Sequence, residues 1–239
     1  MTKSKVNMLD WAAIEAELDR EGYAVLPAML EDRTIRSLLA ECAERTEKRN
    51  VGSHTFDLGF GSTWQLLPPL PNLLDAFADD LYQPLARITN RWQGQLGLTT
   101  QFPPTLEELR RHFARDGLKA PQATLTRLLP DEHEALHQTP PHEHSFRLEV
   151  AVLLSDPGSD FTGGEFVMTE QRPRMQSRPI VVPLKRGDAL VMAAAHRPFK
   201  GSKGIYRVNM KHAISRVLSG QRLGAVFSFH DAQGEREDD

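Results

Sequence analysis

In the first half of the chain, hydrophobic residues recur at roughly the spacing of an amphipathic helix. Within residues 9–22 the apolar positions Leu9, Ile14 and Leu18 follow this period, and Gly22 is a typical C-terminal stop. The same period predicts further helices over residues 31–47, 70–82, 83–97 and 104–117.

From residue 121 onward the hydrophobic period falls to two, which is typical of strands. Turn sequences such as DPGSD at 156–160 and SGQ at 219–221 separate several of these segments. Eight strands after a helical preamble predict an α+β, mainly β fold, a jelly-roll or cupin-like barrel with the N-terminal helices packed on one sheet. The predicted strands cover residues 122–129, 133–139, 146–155, 164–169, 179–184, 188–193, 205–214 and 222–230.

These patterns predict a single domain with three parts. Residues 1–120 form a helical support region, 121–232 the jelly-roll core and 233–239 an acidic tail. Within the support region, YAVLP at 23–27 predicts a short strand, and the aromatic, Gly-rich stretch 54–62 predicts a strand or a lid-like loop.

The composition narrows the possible partners of the chain. A net charge of −3 over 239 residues gives no basic excess, so no nucleic-acid partner is expected. No apolar run approaches the roughly 20 residues of a membrane helix, and the N-terminus has no apolar signal core. The single cysteine, Cys42, excludes an internal disulfide and fits a buried structural thiol. A cytoplasmic location is therefore expected.

The stretch ALHQTPPHEHSF, at 135–146, contains three histidines and indicates a metal site. A non-heme Fe(II) site commonly uses two histidines and one carboxylate, often as His-x-Asp on a strand, where positions i and i+2 face the same way. His137 is the natural first ligand, and the i+2 position is Thr139. The threonine hydroxyl is neutral and is a poor substitute for the carboxylate.

Two histidines compete to be the second ligand. His196 and His212 are each followed by an arginine at similar distance, Arg207 and Arg222 respectively. We prefer His212 and Arg222, because the SGQ turn predicts that they lie on adjacent antiparallel strands. An inward-facing Arg222 would suit the far carboxylate of a dicarboxylate cosubstrate, which it can bind in a bidentate manner.

Three segments of the C-terminal half, LEVAVLLSDPGSDFTGGEFVMTEQRPRMQSR, VVPLKRGDALVMAAAHRP and YRVNMKHAISRVLSGQR, resemble bacterial Fe(II)- and 2-oxoglutarate-dependent oxygenases of the prolyl-hydroxylase-like branch. The resemblance implies a double-stranded β-helix, with iron bound by two histidines and an aspartate. It also implies that 2-oxoglutarate binds to iron and to the basic residue after the second histidine. By position, it places iron at His137 and His212 and the cosubstrate at Arg222.

The chain departs from this family pattern around the expected site. Relatives carry His-Gln-Asp where this chain has His137, Gln138 and Thr139. They also carry a Tyr-Gly-x-Gly-Asp-Tyr-Asn run just upstream, where residues 128–134 read LLPDEHE. Thr139 therefore stands at a catalytic position with an altered side chain.

Other residues leave alternatives open. His133 is expected to contact the cosubstrate or substrate, or to be a core histidine, and Glu143 is a possible substitute acid. Arg222 has a second interpretation, in which it pairs with Glu149 or Glu165. The remaining C-terminal histidines are interpreted as structural: His142, His144, His196 and His230.

Several functions fit these residues. The first is an Fe(II)/2-oxoglutarate-dependent dioxygenase that hydroxylates a small molecule or peptide through an atypical two-histidine iron site. A variant is a halogenase-like enzyme with an anion in place of the missing carboxylate. The second is a non-catalytic binding or regulatory module. A third uses another ligand set, including His133 or His144, to hold a different metal.

Overall fold

The computed structural model describes residues 2–46, 59–66, 69–115, 122–140, 145–202 and 204–229. Its helices are α1 (Thr2–Asn7), α2 (Trp11–Glu21), α3 (Asp32–Thr46), α4 (Asn72–Gln95) and α5 (Leu106–Arg115). Its strands are β1 (Tyr23–Leu26), β2 (Gly59–Phe60), β3 (Ser62–Leu66), β4 (Gln122–Leu128), β5 (His133–His137), β6 (Leu148–Leu153), β7 (Phe161–Gly163), β8 (Phe166–Gln171), β9 (Arg178–Val182), β10 (Ala189–Ala193), β11 (His196–Gly201), β12 (Gly204–Ile214), β13 (Val217–Gly220) and β14 (Arg222–Ser228).

Helix α2 ends at the predicted stop. The side chain of Asp10 accepts a hydrogen bond from the backbone N–H of Ala13 at 3.1 Å, which caps the N-terminus. Ile14 and Leu18 are buried on the inward face. Gly22 ends the helix with φ +81°, a left-handed conformation that favours glycine, and donates to the carbonyl of Leu18 at 2.8 Å.

Helix α4 is one continuous helix, so the prediction of two helices over 70–82 and 83–97 was wrong. Pro84 lies inside it, where proline removes one backbone hydrogen bond at a cost of about 3 kcal/mol. The apolar face continues on both sides of Pro84, with Leu81, Leu85 and Trp92 almost fully buried. Burial of this long apolar face offsets the free-energy cost of the lost hydrogen bond. The residues around Pro84 do not by themselves reveal this compensation.

The strands form two main antiparallel sheets, which confirms the predicted jelly roll. The first sheet has the order β1-β10-β6-β14-β4-β3, and the second has β2-β5-β12-β8-β9, with β11 also paired to β12. Strands β7 and β13 form a separate pair. The N-terminal strands β1 and β3 pair with β10 and β4, so the region predicted as a helical support also contributes to the barrel.

The helices cover the first sheet, as predicted. The ring of Phe77 on α4 packs edge-to-face on Phe227 of β14 with centroids 5.8 Å apart. The next aromatic residue on α4, Tyr82, contacts Phe229 at 5.4 Å. Leu223, Ala225 and Phe227 alternate along β14 with residues that face the barrel interior, so this strand separates the helical core from the cavity.

Strand β11 lies outside the eight predicted strands. In the structure Arg197 is fully buried and forms an ion pair with Glu170. It also donates to the carbonyl of Asp19 at 2.8 Å, at the end of α2. Cys42 is buried, as predicted. No helix in the described ranges is long and apolar enough to cross a membrane.

Candidate metal centre

His137 and His212 lie side by side on neighbouring strands. They are register partners between β5 and β12, and their ring centroids are 4.3 Å apart. His212 is almost completely buried, whereas the side chain of His137 is partly exposed to the cavity. The structure thus brings together two imidazoles that are far apart in the chain.

Glu134 joins this pair because β5 contains a bulge. The register runs from His212–His137 to Ile214–Glu134, so three steps along β5 match two steps along β12. The extra residue reverses the alternation and turns Glu134 to the same face as His137. Its Oε1 lies 3.4 Å from His137 Nε2, and one donor atom each of Glu134, His137 and His212 fall within 4.8 Å of one another.

Sequence reasoning missed Glu134. Strict alternation places a residue three positions before His137 on the opposite face of the strand. The bulge has no distinctive residue pattern in the segment HEALH.

Thr139 does not face the histidine pair as a ligand but binds a second acid. Its hydroxyl donates a hydrogen bond to Glu149 Oε1 at 2.7 Å, and its backbone N–H donates to the carbonyl of Ala194 at 3.1 Å. Burial raises the pKa of the Glu149 carboxyl to about 7, although the hydrogen bond from Thr139 lowers it. Glu149 therefore pairs with Thr139 and not with Arg222.

Burial favours the neutral form of His212, which is the form of imidazole that binds a metal. Burial, followed by the neighbouring His137, lowers the pKa of His212 to about 3. His137 Nδ1 lies 2.9 Å from the carbonyl of Ala135. Because a carbonyl only accepts, Nδ1 donates to it, and Nε2 is the nitrogen that faces Glu134.

Arg222 lies in the interior beyond Glu134. Its Nε donates to the carbonyl of Gly164 at 2.9 Å, and burial lowers the pKa of the guanidinium to about 10, which Glu134 partly offsets. A Cβ on Gly164, which has φ +63°, would lie 2.9 Å from Arg222 Cδ. Glycine at this position therefore leaves the space that the arginine occupies.

The predicted strand relationship between His212 and Arg222 was wrong. His212 is on β12 of the second sheet, and Arg222 is on β14 of the first, between β4 and β6. Residues 215–221 form a turn and the short strand β13, so they carry the chain across the barrel instead of forming a tight hairpin. Both side chains are nevertheless buried in the interior. Glu165, the other proposed partner of Arg222, is exposed and accepts from Ser215.

A cavity of about 310 Å³ opens beside the three donor groups. His133, Thr139 and Glu149 line it, and much of the remaining wall carries amides and hydroxyls, from Gln65, Gln122, Thr124 and Ser228. A second cavity of about 20 Å³ reaches Arg222, and the two share wall residues, namely Thr126, Glu134, His212 and Val226. His196 is buried on β11 opposite Asn209, and does not line either cavity. His142, Glu143, His144 and His230 lie outside the described residues.

Residues 63–232 match the family model Oxygenase-NA, described as an oxygenase catalysing oxidative methylation of damaged DNA. Two Mycobacterium tuberculosis proteins, both uncharacterized, are 34% identical to this chain over 164 residues, which cover 69% of this chain and 70% of each relative. They come from strains CDC 1551 and H37Rv.

The fold is similar to that of several solved oxygenases. A Pseudomonas putida prolyl-4-hydroxylase aligns with a TM-score of 0.59 at 14% identity, over 92% of this chain and 98% of that chain. A Burkholderia pseudomallei oxidoreductase of the 2OG-Fe(II) oxygenase family gives 0.53 at 18% identity, over 94% and 91%. The carbocyclase SnoK from nogalamycin biosynthesis gives 0.59 at 14% identity, over 95% and 86%. These likenesses establish the double-stranded β-helix fold.

Proposed function

The chain belongs to the Oxygenase-NA family, and from this premise we propose that it is an oxidoreductase that uses Fe(II) and 2-oxoglutarate to oxidise a substrate in the larger cavity. One observation carries the proposal. Two imidazoles and one carboxylate, from His137, His212 and Glu134, converge within 4.8 Å inside the barrel. This donor set is the one that non-heme Fe(II) oxygenases use.

Glu134 takes the role that the missing aspartate has in relatives. It supplies a carboxylate from within β5, whereas the hydroxyl of Thr139 is engaged by Glu149. His212 is neutral at pH 7, so it need not lose a proton to bind the metal, and His137 directs its Nε2 towards Glu134. When bound, Fe(II) and 2-oxoglutarate would activate O2, which is the oxidant: 2-oxoglutarate would give two electrons and become succinate and CO2, and the substrate would give the other two.

Arg222 is the proposed partner of the far carboxylate of 2-oxoglutarate. Its guanidinium stays protonated at pH 7, since its pKa is about 10, and it is anchored by the Gly164 carbonyl. The fixed fork of N–H donors suits bidentate recognition of a carboxylate. His133, on the wall of the larger cavity, is proposed to contact the cosubstrate or the substrate.

The position of Glu134 favours hydroxylation over halogenation. A halogenase-like site needs an open position where the carboxylate would otherwise bind, and here a carboxylate lies 3.4 Å from His137. The same residue weighs against a non-catalytic module, because the site keeps one carboxylate beside two imidazoles.

Two observations indicate the class of substrate: the description of the family and the polar groups on the wall of the larger cavity. The composition predicted no nucleic-acid partner, whereas the family is described as acting on damaged DNA. Amides and hydroxyls on the wall, including a 2.7 Å hydrogen bond from Gln65 to Gln122, suit a ligand with several donors and acceptors. Methylated nucleobases, free or in DNA, are therefore the first substrates that we propose to test.

The test is anaerobic loading followed by exposure to oxygen. We expect Fe(II) and 2-oxoglutarate to give a weak charge-transfer absorption band in the green region, and oxygen to produce succinate. His212→Ala should lose both signals, and His112→Ala, an exposed histidine on α5, should keep both. Methylated nucleosides and methylated oligonucleotides are then compared for their stimulation of succinate formation. The absence of band and succinate in the parent would refute the enzymatic function.

A further inference from the structure

A cleft with three arginines lies on the outer face of the second sheet, away from the proposed reaction site. We call it the cationic cleft; it is lined by Gln171, Arg172, Pro173, Arg174, Arg207 and Asn209 and has a volume of about 190 Å³. On β12, Val208, Met210 and His212 face inward and are buried, whereas the alternate residues Arg207, Asn209 and Lys211 are exposed. The cleft and the metal centre therefore lie on opposite faces of one strand.

The arginines of the cleft are only partly neutralised. Arg172 donates to Glu170 at 2.7 Å, but this same carboxylate also faces Arg178 at 3.6 Å and Arg197. Among the residues that the structure describes, neither Arg174 nor Arg207 has a carboxylate within 4 Å. Glu21 also pairs with Arg178, at 2.8 Å, so two acids face the three guanidiniums of Arg172, Arg178 and Arg197, whereas Arg174 and Arg207 add two more positive charges.

The positive charge extends behind the cleft. His196 lies opposite Asn209, and its pKa is lowered by burial and then by Arg207 and Arg147. The pKa of Arg147 is likewise lowered by burial and then by Arg207. These like charges repel one another, which raises the local affinity for an anion.

Two features hold the cleft in shape. The guanidinium of Arg172 stacks on the ring of Phe199, 4.0 Å from its centroid, which fixes its orientation. Arg174 has φ +62°, a left-handed conformation that is costly for a residue with a side chain. Strain of this kind often marks positions where the backbone is held for binding. Arg174 is thereby directed from the β8–β9 turn to the same cleft as Arg207 on β12.

From this geometry we infer that the cationic cleft is a binding site for a phosphoryl group. A phosphoryl oxyanion with two or more negative charges matches several guanidinium forks better than a single carboxylate does. The cleft volume equals that of about six water molecules at about 30 Å³ each, which is enough for such an anion. The phosphoryl group could belong to a small phosphorylated molecule or to a nucleic-acid strand. This site goes beyond the proposed oxidation, which does not use it.

The experiment measures how tightly two probes bind to the full chain of the parent protein and to the full chains of three variants. The probes are inorganic pyrophosphate, followed by titration calorimetry at low salt, and a fluorescein-labelled single-stranded 12-mer DNA, followed by anisotropy. The first variant is the double substitution Arg174→Gln/Arg207→Gln, and the second is Arg174→Gly. The third, Arg111→Gln at an exposed position of α5, is the control: like Arg174→Gly it removes one positive charge, but outside the cleft. We expect the double variant to weaken pyrophosphate binding by about tenfold or more and Arg111→Gln to leave it unchanged.

The DNA probe identifies the source of the phosphoryl group. For a nucleic-acid strand, the double variant should also weaken 12-mer binding and reduce the slope of log K against log salt by about 1.4. For a small molecule, 12-mer binding should be the same in all variants while pyrophosphate binding falls. Both outcomes support the site. It is refuted if the parent binds neither probe, or if the double variant binds both probes as tightly as the parent.

Arg174→Gly separates binding from folding. Glycine accepts a φ of +62° without strain, so this variant should melt about 2–4 °C higher than the parent while it loses pyrophosphate affinity. If Arg174 were only structural, the variant would retain its affinity for pyrophosphate. Succinate formation by the Fe(II)-loaded protein in the absence of DNA should be unchanged in all three variants, so failure of the cleft is distinguishable from failure of the proposed function.

Discussion

Glu134 lies on the same face of β5 as His137, three positions away, because a bulge adds one residue to the strand between them. In an ideal strand the two side chains would point to opposite faces. The bulge therefore gives the barrel a carboxylate next to two histidines, although the position two residues after His137 is Thr139.

The first prediction concerns this carboxylate. Glu134→Ala should weaken Fe(II) binding by more than about 100-fold, since the loss of an outer partner alone costs about 10–100-fold. Adding Thr139→Asp to that variant should recover much of the loss, because the acid then returns two positions after His137. Fe(II) affinity is measured by anaerobic titration. If Glu134→Ala bound Fe(II) like the parent, Glu134 would not be a ligand.

The second prediction concerns Arg222. Arg222→Gln keeps a hydrogen-bond donor but removes the charge, so it should raise the KM for 2-oxoglutarate by about 10–100-fold and change kcat less. The measurement is succinate formation at varied 2-oxoglutarate. Arg216→Gln is the control, because Arg216 is exposed and pairs only loosely with Asp131, at 3.5 Å. An unchanged KM in Arg222→Gln would assign the far carboxylate to another residue.

The third prediction is a pH dependence of stability that originates at Glu149. Burial raises the pKa of this carboxyl from 4.5 to about 7, so the folded protein keeps a proton that the unfolded chain releases. The stabilisation is complete below about pH 4.5 and is lost as the pH rises through about 7, with a total of about 3 kcal/mol. Glu149→Gln should not show this loss.

The measurement is urea unfolding of metal-free protein at a series of pH values. The free energy of unfolding of Glu149→Gln minus that of the parent should increase between pH 4.5 and 7. Thr139→Val removes the hydrogen bond that lowers the pKa of Glu149, and should move the parent's loss of stability to higher pH. A flat difference curve would mean that Glu149 titrates as an ordinary acid.

The fourth prediction concerns the contact between helices α2 and α4. Asp19 accepts from the indole N–H of Trp92 at 2.7 Å and from Arg91 at 2.8 Å. Asp19→Ala should lower the free energy of unfolding by about 1–3 kcal/mol, because the buried indole N–H loses its acceptor. Glu15→Ala should cost much less, since Glu15 reaches only Arg91, at 3.9 Å. Chemical denaturation compares the two, and equal losses would contradict this assignment.

The regular parts of the fold could be predicted from the sequence because they depend on local alternation. The change of period near residue 121 located the strands of the jelly roll, and Gly22 marked the end of α2. The remaining features depend on non-local packing. Buried contacts on both sides of Pro84 keep α4 continuous, and the ion pair with Glu170 holds Arg197 in β11, a strand that was not predicted.

The candidate site, too, could be predicted from the sequence only in part. His137 and His212 followed from spacing and resemblance, and the structure places them together. Glu134 depends on a bulge that the segment HEALH does not encode in any visible pattern. His212 and Arg222 lie on different sheets because residues 215–221 cross from the second sheet to the first. A turn sequence alone does not specify this path.

Because the metal-binding groups lie on the second sheet and Arg222 lies on the first, the complete site exists only while the two sheets face each other. Glu134 and His137 belong to β5 and Arg222 to β14, so a cosubstrate that spans them would act as a clamp between the two halves. By mass action, such a ligand at 100 times its dissociation constant would stabilise the native state by about 2.7 kcal/mol. Binding of such a ligand would then raise the melting temperature of the protein. A thermal-shift screen of organic acids could therefore identify the natural ligand without measuring turnover.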